Sequence, residues 1–334
     1  QEVIAEVSSR WANGQKITGP FLVVPYAISQ KDEKGNFYTV KQNAYFLPEQ
    51  LQINGTLEPE IRKRSIYKVV LYKTDLQMSG SFAPLNFTAL GIDPATVQWN
   101  EVRFCIGLSD NRGITEQLKL KIDTVTAEMN PDLPANTVTT SGVNALVPKD
   151  LFATAGNHSF SLQLKLNGSE RLFFTPVGKQ TQVQLQSTYN NASFTGNFLP
   201  RNPANSEKGF NAEWTISHFT RNIPQSWKEG KVSIDESAFG VELLQGVDSY
   251  SKTMRSVKYA LLFTTLTFCL FFFIEILQKR SVHPLQYVLV GFALCVFYTL
   301  LLSISEYTGF VPAYLIAAVT VVGLITAYIQ SVFG

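Results

Sequence analysis

Between Val257 and Gly334 the chain carries five formal charges, Lys258, Glu275, Lys279, Arg280 and Glu306, and the stretches between them are almost wholly apolar. A helix needs about 20 predominantly apolar residues to cross a bilayer core. The windows from Leu285 to Ser305 and from Tyr307 to Gly334 reach that length without a charge. The window from Tyr259 to Ile274 (YALLFTTLTFCLFFFI) has 16 residues. A lysine at one end can snorkel, however, and the helix can continue through Ile276 and Leu277. Three such runs in tandem predict membrane spans at about 257–278, 285–305 and 309–332 rather than buried helices of a soluble protein.

The linker QKRSVHP between the first two spans holds Lys279 and Arg280, whereas SEYTGFVPA between the last two has no Lys or Arg. The positive-inside rule puts the first linker in the cytoplasm, the second outside, and residues 1–256 outside with it. Lys252, Arg255 and Lys258 weigh the other way, but large domains translocate largely regardless of charge. Arg255 and Lys258, three apart at a helix start, share a face and can meet lipid phosphates or a carboxylate of the outer domain. Glu275 and Glu306 fall at span ends on opposite sides of the bilayer, where water and headgroups solvate them. His283 before Pro284 reads as a helix-start residue. Tyr250, Tyr259, Tyr287, Tyr307 and Tyr314 suit an interfacial belt.

Up to Ser256 the chain is mixed and polar, with 25 Lys plus Arg against 24 Asp plus Glu, a balance that gives no footprint for nucleic acid. Cys105 is alone in this part, and Cys269 and Cys295 lie in spans, so no disulfide framework or zinc motif is expected, and no cofactor. The five N-x-[ST] sequons, at Asn54, Asn86, Asn157, Asn167 and Asn191, would matter only in a eukaryotic secretory route. The chain opens on Gln1 without an export signal and stops as a span ends, so the expectation is a segment of a longer protein.

Period-two alternation dominates residues 40–245, as in SFSLQLKL (159–166) and TQVQLQS (181–187), with NGSE (167–170) between them in a turn position. The outer domain is therefore expected to be mainly β. Internal similarity accompanies it. LQINGT (51–56) parallels LKLNGS (164–169), VVLYKTDLQMSGSF (69–82) parallels VQLQSTYNNASFTGNF (183–198), and NEVRFCIGLSDNRGI (100–114) parallels NAEWTISHFTRNIPQSW (211–227). The order is kept and the offset drifts slowly, which predicts two related β-sandwich-like units, about 40–125 and 143–245. TAEMNPDLPANTVTTSG (126–142) is the natural boundary, and DEKGN (32–36) and EKGF (207–210) read as turns. The aromatics of KGFNAEW, Phe210 and Trp214, are expected in the core.

The third aligned pair sets Ser217 beside His218 and follows them with Arg221. A nucleophile and its base should leave a related pair in the first copy, which has Ser109 and Asp110 instead, followed by Arg112. Neighbours on a strand also point to opposite faces. The pattern fits a strand end and turn in each copy, where Ser and Asp bond local backbone groups. Arg112 and Arg221 would pin neighbouring carbonyls or a carboxylate, or bind an anionic ligand.

Taken together, ITGPFLVVPY (17–26), AYFLPEQLQINGTLEPEIRKRSIYKVVLY (44–72), GLSDNRGI (107–114), SHFTRNIPQSW (217–227), FGVELLQGVDSYSKTMRSVKYALLFTTLTF (239–268) and HPLQYVLVGFALCVFYTLLLSISEYTGF (283–310) resemble the CreD family of bacterial inner-membrane, or cell envelope integrity, proteins. The resemblance covers nearly the whole chain. It implies an amino-terminal anchor, a large periplasmic domain and a carboxy-terminal bundle of spans. It also implies membership of an envelope-stress response associated with colicin tolerance, and it supplies no reaction, substrate or catalytic residue.

The expected function is thus that of a non-enzymatic inner-membrane protein whose periplasmic β domain binds an envelope protein, glycan or lipid. A membrane-anchored enzyme acting on periplasmic glycan or lipid through carboxylates such as Asp110 and Glu213 is the alternative. Transport fits less well, since the spans hold few polar groups and no pair of broken helices.

Overall fold

The computed structural model describes residues 11–33, 36–64, 67–134, 138–149, 151–153, 156–201, 204–229, 232, 234, 237–244, 249–278 and 283–333. Lys34 and Gly35 of DEKGN, the pair Lys279 and Arg280, and the side chains of Tyr250 and Lys252 lie outside the described residues. The chain divides into two compact units, Gln1–Gln245 and Gly246–Gly334.

In the first unit, alternation becomes strands: β1 (Gln15–Lys31), β2 (Phe37–Phe46), β3 (Gln50–Arg64), β4 (Tyr67–Phe82), β5 (Arg103–Leu108), β6 (Lys119–Ile122), β7 (Val125–Glu128), β8 (Asn130–Pro131) and β9 (Gly142–Leu146). They continue with β10 (His158–Ser169), β11 (Arg171–Thr175), β12 (Gln180–Ser187), β13 (Ala192–Gly196), β14 (Ala204–Ser206), β15 (Gly209–Ser217), β16 (Ser226–Lys228) and β17 (Phe239–Leu243). The first sheet runs β13-β17-β11-β1-β5-β9-β8, with β2 also on β1 and β16 on β2; the second runs β14-β15-β12-β3-β4-β10-β6-β7. Each has one parallel pair, β1 with β11 and β3 with β12, among antiparallel neighbours.

The mainly β domain is present, but its two halves in sequence do not fold as two sandwiches side by side. Strands from both halves interleave in each sheet: β4 pairs with β10, and β3 with β12. Within the expected boundary, residues 126–128 of β7 and 130–131 of β8 are themselves in strands, one in each sheet, so the chain passes between sheets there. Of the aligned stretches, 100–114 and 211–227 do occupy matching places. β5 lies antiparallel to β1, which pairs in parallel with β11; β15 lies antiparallel to β12, which pairs in parallel with β3. The Ser109 N–H donates to the Lys16 carbonyl at 3.2 Å, and the His218 N–H to that of Lys179 at 2.8 Å.

The sheets close on one apolar core. β10 and β12 bury every second residue, which is the pattern of a sheet with one face inward. Phe82 of β4 meets Phe104 of β5 with centroids 6.1 Å apart, and Trp214 of β15 meets Phe239 of β17 at 5.5 Å, so aromatic pairs bridge the two sheets. Phe210 and Trp214 are both buried, and the Trp214 Nε1–H donates to the Phe198 carbonyl at 3.1 Å. Each such large side chain contributes about 1.5–3 kcal/mol by burial. The first sheet is covered on both faces at its centre: every residue from Ile17 to Tyr26 is buried, and the loop carrying Ile92 and Val97 lies against β1, bridging Val97 to Tyr26.

The second unit consists of α1 (Ser249–Lys258), α2 (Ala260–Gln278), α3 (Pro284–Thr308) and α4 (Phe310–Phe333). The last three are long and apolar enough to cross a membrane. The first span therefore begins after a separate short helix, α1, whose polar composition could not enter lipid. Thr253 of α1 is buried and donates to Ser305 Oγ of α3 at 3.0 Å. Leu301 of α3 packs with Ala313 and Ala317 of α4, small residues that let helix backbones approach. Gly309 separates α3 and α4 at φ 85°, a left-handed conformation that glycine tolerates.

Candidate functional site

In each aligned stretch a capped turn follows the strand. In the first, Asp110 Oδ1 accepts from the Arg112 N–H at 3.1 Å and starts a short turn, Asn111–Gly113. Arg112 folds back on the same carboxylate, Nε to Oδ1 at 2.9 Å and Nη2 to Oδ2 at 2.7 Å, and the Asn13 N–H adds a bond to Oδ2 at 3.0 Å. The hydrogen-bonded guanidinium, with these backbone donors, holds the Asp110 carboxyl down at about 2, and Asp110 in turn raises Arg112. A carboxylate so held does not serve as a general acid at neutral pH.

In the second turn Ser217 Oγ accepts from the Phe219 N–H at 3.5 Å, and the His218 ring packs on Phe219 with centroids 4.0 Å apart. Ser217 and His218 form no hydrogen bond to each other among the described residues. Arg221 is buried and donates to the carbonyls of Ile223 (2.7 Å), Val177 (2.8 Å) and Gly178 (3.3 Å) and to Gln225 Oε1 (2.8 Å). Burial lowers its guanidinium to about 10, still cationic at neutral pH. Arg112 thus engages a carboxylate, and Arg221 ties its own loop, through Ile223 and Gln225, to the Val177–Gly178 segment. Glu213 sits on β15 of the second sheet, whereas Asp110 follows β5 of the first, so the two carboxylates belong to different sheets.

Near the membrane, Arg255 and Lys258 are exposed on the last turn of α1. Glu275 Oε2 accepts from the Tyr287 hydroxyl at 2.8 Å, joining α2 to α3. His283 caps α3, its Nδ1 accepting from the Leu285 N–H at 3.2 Å. Glu306 is exposed near the C-terminal end of α3. No group of three or more His, Cys, Asp or Glu side chains gathers to hold a metal among the described residues.

The largest functional candidate is one that no single motif announces. Among the described residues nothing covers the outer face of the second sheet, whose outward side chains are exposed or half-buried, and register sets them in rows. Across β15, β12, β3, β4 and β10 the first row is Ser217, Gln180, Gln50, Ser81 and Ser159, and the second Thr215, Gln182, Gln52, Ser79 and Ser161. The third is Glu213, Gln184, Asn54, Gln77 and Gln163, and the fourth Asn211, Gln186, Thr56, Asp75 and Lys165. None of these positions is apolar, and only Glu213, Asp75 and Lys165 are charged.

Hollows lie along this face. One of about 540 Å³ spans Gln50, Gln52, Ser79 and Gln182. Another of about 450 Å³ lies at the corner formed by Lys179, Arg201, Ser217 and His218, beside the second turn. A third of about 440 Å³ lies at the other end, between Thr56, Asp75, Lys165 and Thr115, the last of these just beyond the first turn. The four glutamines at alternate positions of QTQVQLQS were the available signal; their neighbours on β3, β4 and β10 come from distant sequence.

A β domain of two packed sheets, joined in sequence to three helices of membrane-spanning length, defines an integral membrane protein with a large domain outside the apolar spans. The chain belongs to the CreD family: the family profile described as "Inner membrane protein CreD" matches residues 1–334. Inner membrane protein CreD of Escherichia coli (strain K12) is 31% identical over 328 residues, covering 95% of this chain and 71% of that protein. Among solved structures, an M1 zinc metallopeptidase from Deinococcus radiodurans aligns at 10% identity and a TM-score of 0.25, over 59% of this chain and 42% of its own. A two-domain M1 zinc metallopeptidase bound to L-tryptophan aligns at 0.24 with the same identity and coverage. Similarity at that level carries no inference about fold or chemistry.

Proposed function

We propose that the protein is a non-enzymatic component of the inner membrane, supporting envelope integrity under stress, whose β domain on the periplasmic side binds an envelope component or partner protein. The observation that carries this reading is the outer face of the second sheet: broad, uncovered among the described residues, wholly polar in its rows and bordered by the two capped turns. The family supports placement in the inner membrane, and Lys279 and Arg280 between the first two spans support a cytoplasmic linker and hence an outer β domain. The hydrogen bonds on Asp110 and its separation by sheet from Glu213 weigh against the two-carboxylate enzyme.

The test is photocrosslinking in living cells, with the complete protein carrying a photoreactive residue at Arg112 or at Phe219. The expected result is a discrete adduct at one or both turns. Absence of any adduct there and on the sheet face, while photoreactive residues elsewhere on the domain do crosslink, would overturn the reading.

A further inference from the structure

We propose that the outer face of the second sheet binds a neutral glycan chain bearing hydroxyl and acetamido groups. This names the ligand class for the binding function above and rests on it.

The charge pattern excludes the common alternatives first. A polyanion needs a surplus of cations, yet Lys165 in the rows and Lys119 and Lys121 on β6, which extends the face, are matched by Asp75, Glu213 and Glu128. Lipid tails need contiguous apolar area, and the rows contain no apolar residue. A peptide most readily adds to a strand edge through its backbone, with pockets for alternate side chains, whereas here the middle of the sheet is the exposed, polar part.

What the face offers is amide chemistry. Each glutamine or asparagine carboxamide presents two N–H donors and a carbonyl acceptor. Gln52, Asn54, Gln77, Gln182 and Gln184 make no side-chain hydrogen bond to protein among the described residues. A sugar hydroxyl donates and accepts, and an acetamido group does the same, so such a chain can use both halves of every carboxamide. Neighbouring strands lie about 4.8 Å apart, close to the length of one sugar in an extended chain, so a glycan crossing the strands meets a new carboxamide at each step.

The corner of the face adds an aromatic surface. Phe219 is 87% exposed and its ring lies against that of His218, next to Ser217 in the first row. Aromatic faces are electron-rich and suit the C–H side of a sugar ring. Contacts of this kind are shallow, and ordering long side chains opposes them, so a short oligomer should bind with a Kd of about 0.1 mM.

The experiment uses the full chain in lipid nanodiscs and titrates chitohexaose, an uncharged chain of N-acetylglucosamine. Saturable binding is expected, weakened at least about tenfold by the double change Gln52→Ala and Gln182→Ala, and unchanged by Lys31→Ala on β1. Thermal unfolding checks that the double variant is folded; a second pair, Gln77→Thr and Gln184→Thr, repeats the test with residues that favour strands. Lack of saturable binding at millimolar chitohexaose would overturn the proposal. So would equal binding by either folded double variant, or binding of dextran sulfate in place of chitohexaose. If chitohexaose is silent while photocrosslinking from this face captures a discrete protein, the glycan assignment fails and the broader binding function stands. If both are silent, both fail.

Discussion

Arg112 turns back on Asp110, two residues earlier, so that a single carboxylate receives the guanidinium at 2.7 and 2.9 Å and closes the turn that follows β5. The pairing makes that turn sensitive to acid. The folded carboxyl titrates at about 2, below the value near 3.9 of an unfolded aspartate. A depressed folded value means the stabilisation is complete above the unfolded value and is lost as pH falls toward about 2. At neutral pH, Asp110→Asn should lower stability by about 1–2 kcal/mol. Denaturant titrations should show the gap to wild type narrowing below pH 4 and nearly closed at pH 2.

Arg221 plays a different part from Arg112. It is buried, with carbonyls of three residues and one amide oxygen as acceptors. Removing it leaves several buried acceptors unpaired, each at a cost of about 1–3 kcal/mol. Arg221→Met should therefore destabilise the β domain by about 3–5 kcal/mol, whereas Arg112→Ala, at an exposed side chain, should cost much less. Equal effects in a thermal or denaturant melt would contradict the assignment of Arg221 to structure.

Trp214 links the sheets through Phe239 and bonds the Phe198 carbonyl. Trp214→Ala should cost about 3–5 kcal/mol, through lost burial and the cavity left behind. A smaller loss, with no collapse of Phe194 and Phe239 into the space, would mean the two sheets are not coupled there.

In the helical unit, the Thr253 to Ser305 hydrogen bond ties α1 to α3. A double-mutant cycle with Thr253→Val and Ser305→Ala should give a coupling of about 0.6 kcal/mol. Additive effects would indicate that α1 is held by other contacts.

The parts of this fold legible in sequence are those under a local constraint. Lipid demands long uninterrupted apolar runs, so α2, α3 and α4 can be read directly, and a half-buried sheet demands alternation, so β10 and β12 can too. The central strand β1 is harder to read, because burial of both faces from Ile17 to Tyr26 replaces alternation with a continuous run. Strand order is harder still. The Thr18 and Thr175 hydroxyls lie 3.0 Å apart across 157 residues, and nothing local encodes that neighbour. The same distance hides the polar face: Gln182, Gln52, Ser79 and Ser161 form a row only once β12, β3, β4 and β10 are in register. The resemblance between 100–114 and 211–227 was visible because in both stretches a capped turn follows the strand, but it could not show that their strands lie in different sheets.

The most direct measurement of the central claim, that the outer face of the second sheet is occupied in the cell, is cysteine accessibility. Single cysteines at Gln52, Gln77 and Gln182 would be introduced into the complete protein with its own cysteines replaced, and labelled by a membrane-impermeant thiol reagent in cells with a permeabilised outer membrane and again after purification. A ligand on the face predicts slow labelling at all three positions in cells and fast labelling once purified, with a control cysteine at Lys31 reacting equally in both. Equal rates at the three positions in cells and in the purified protein would contradict it.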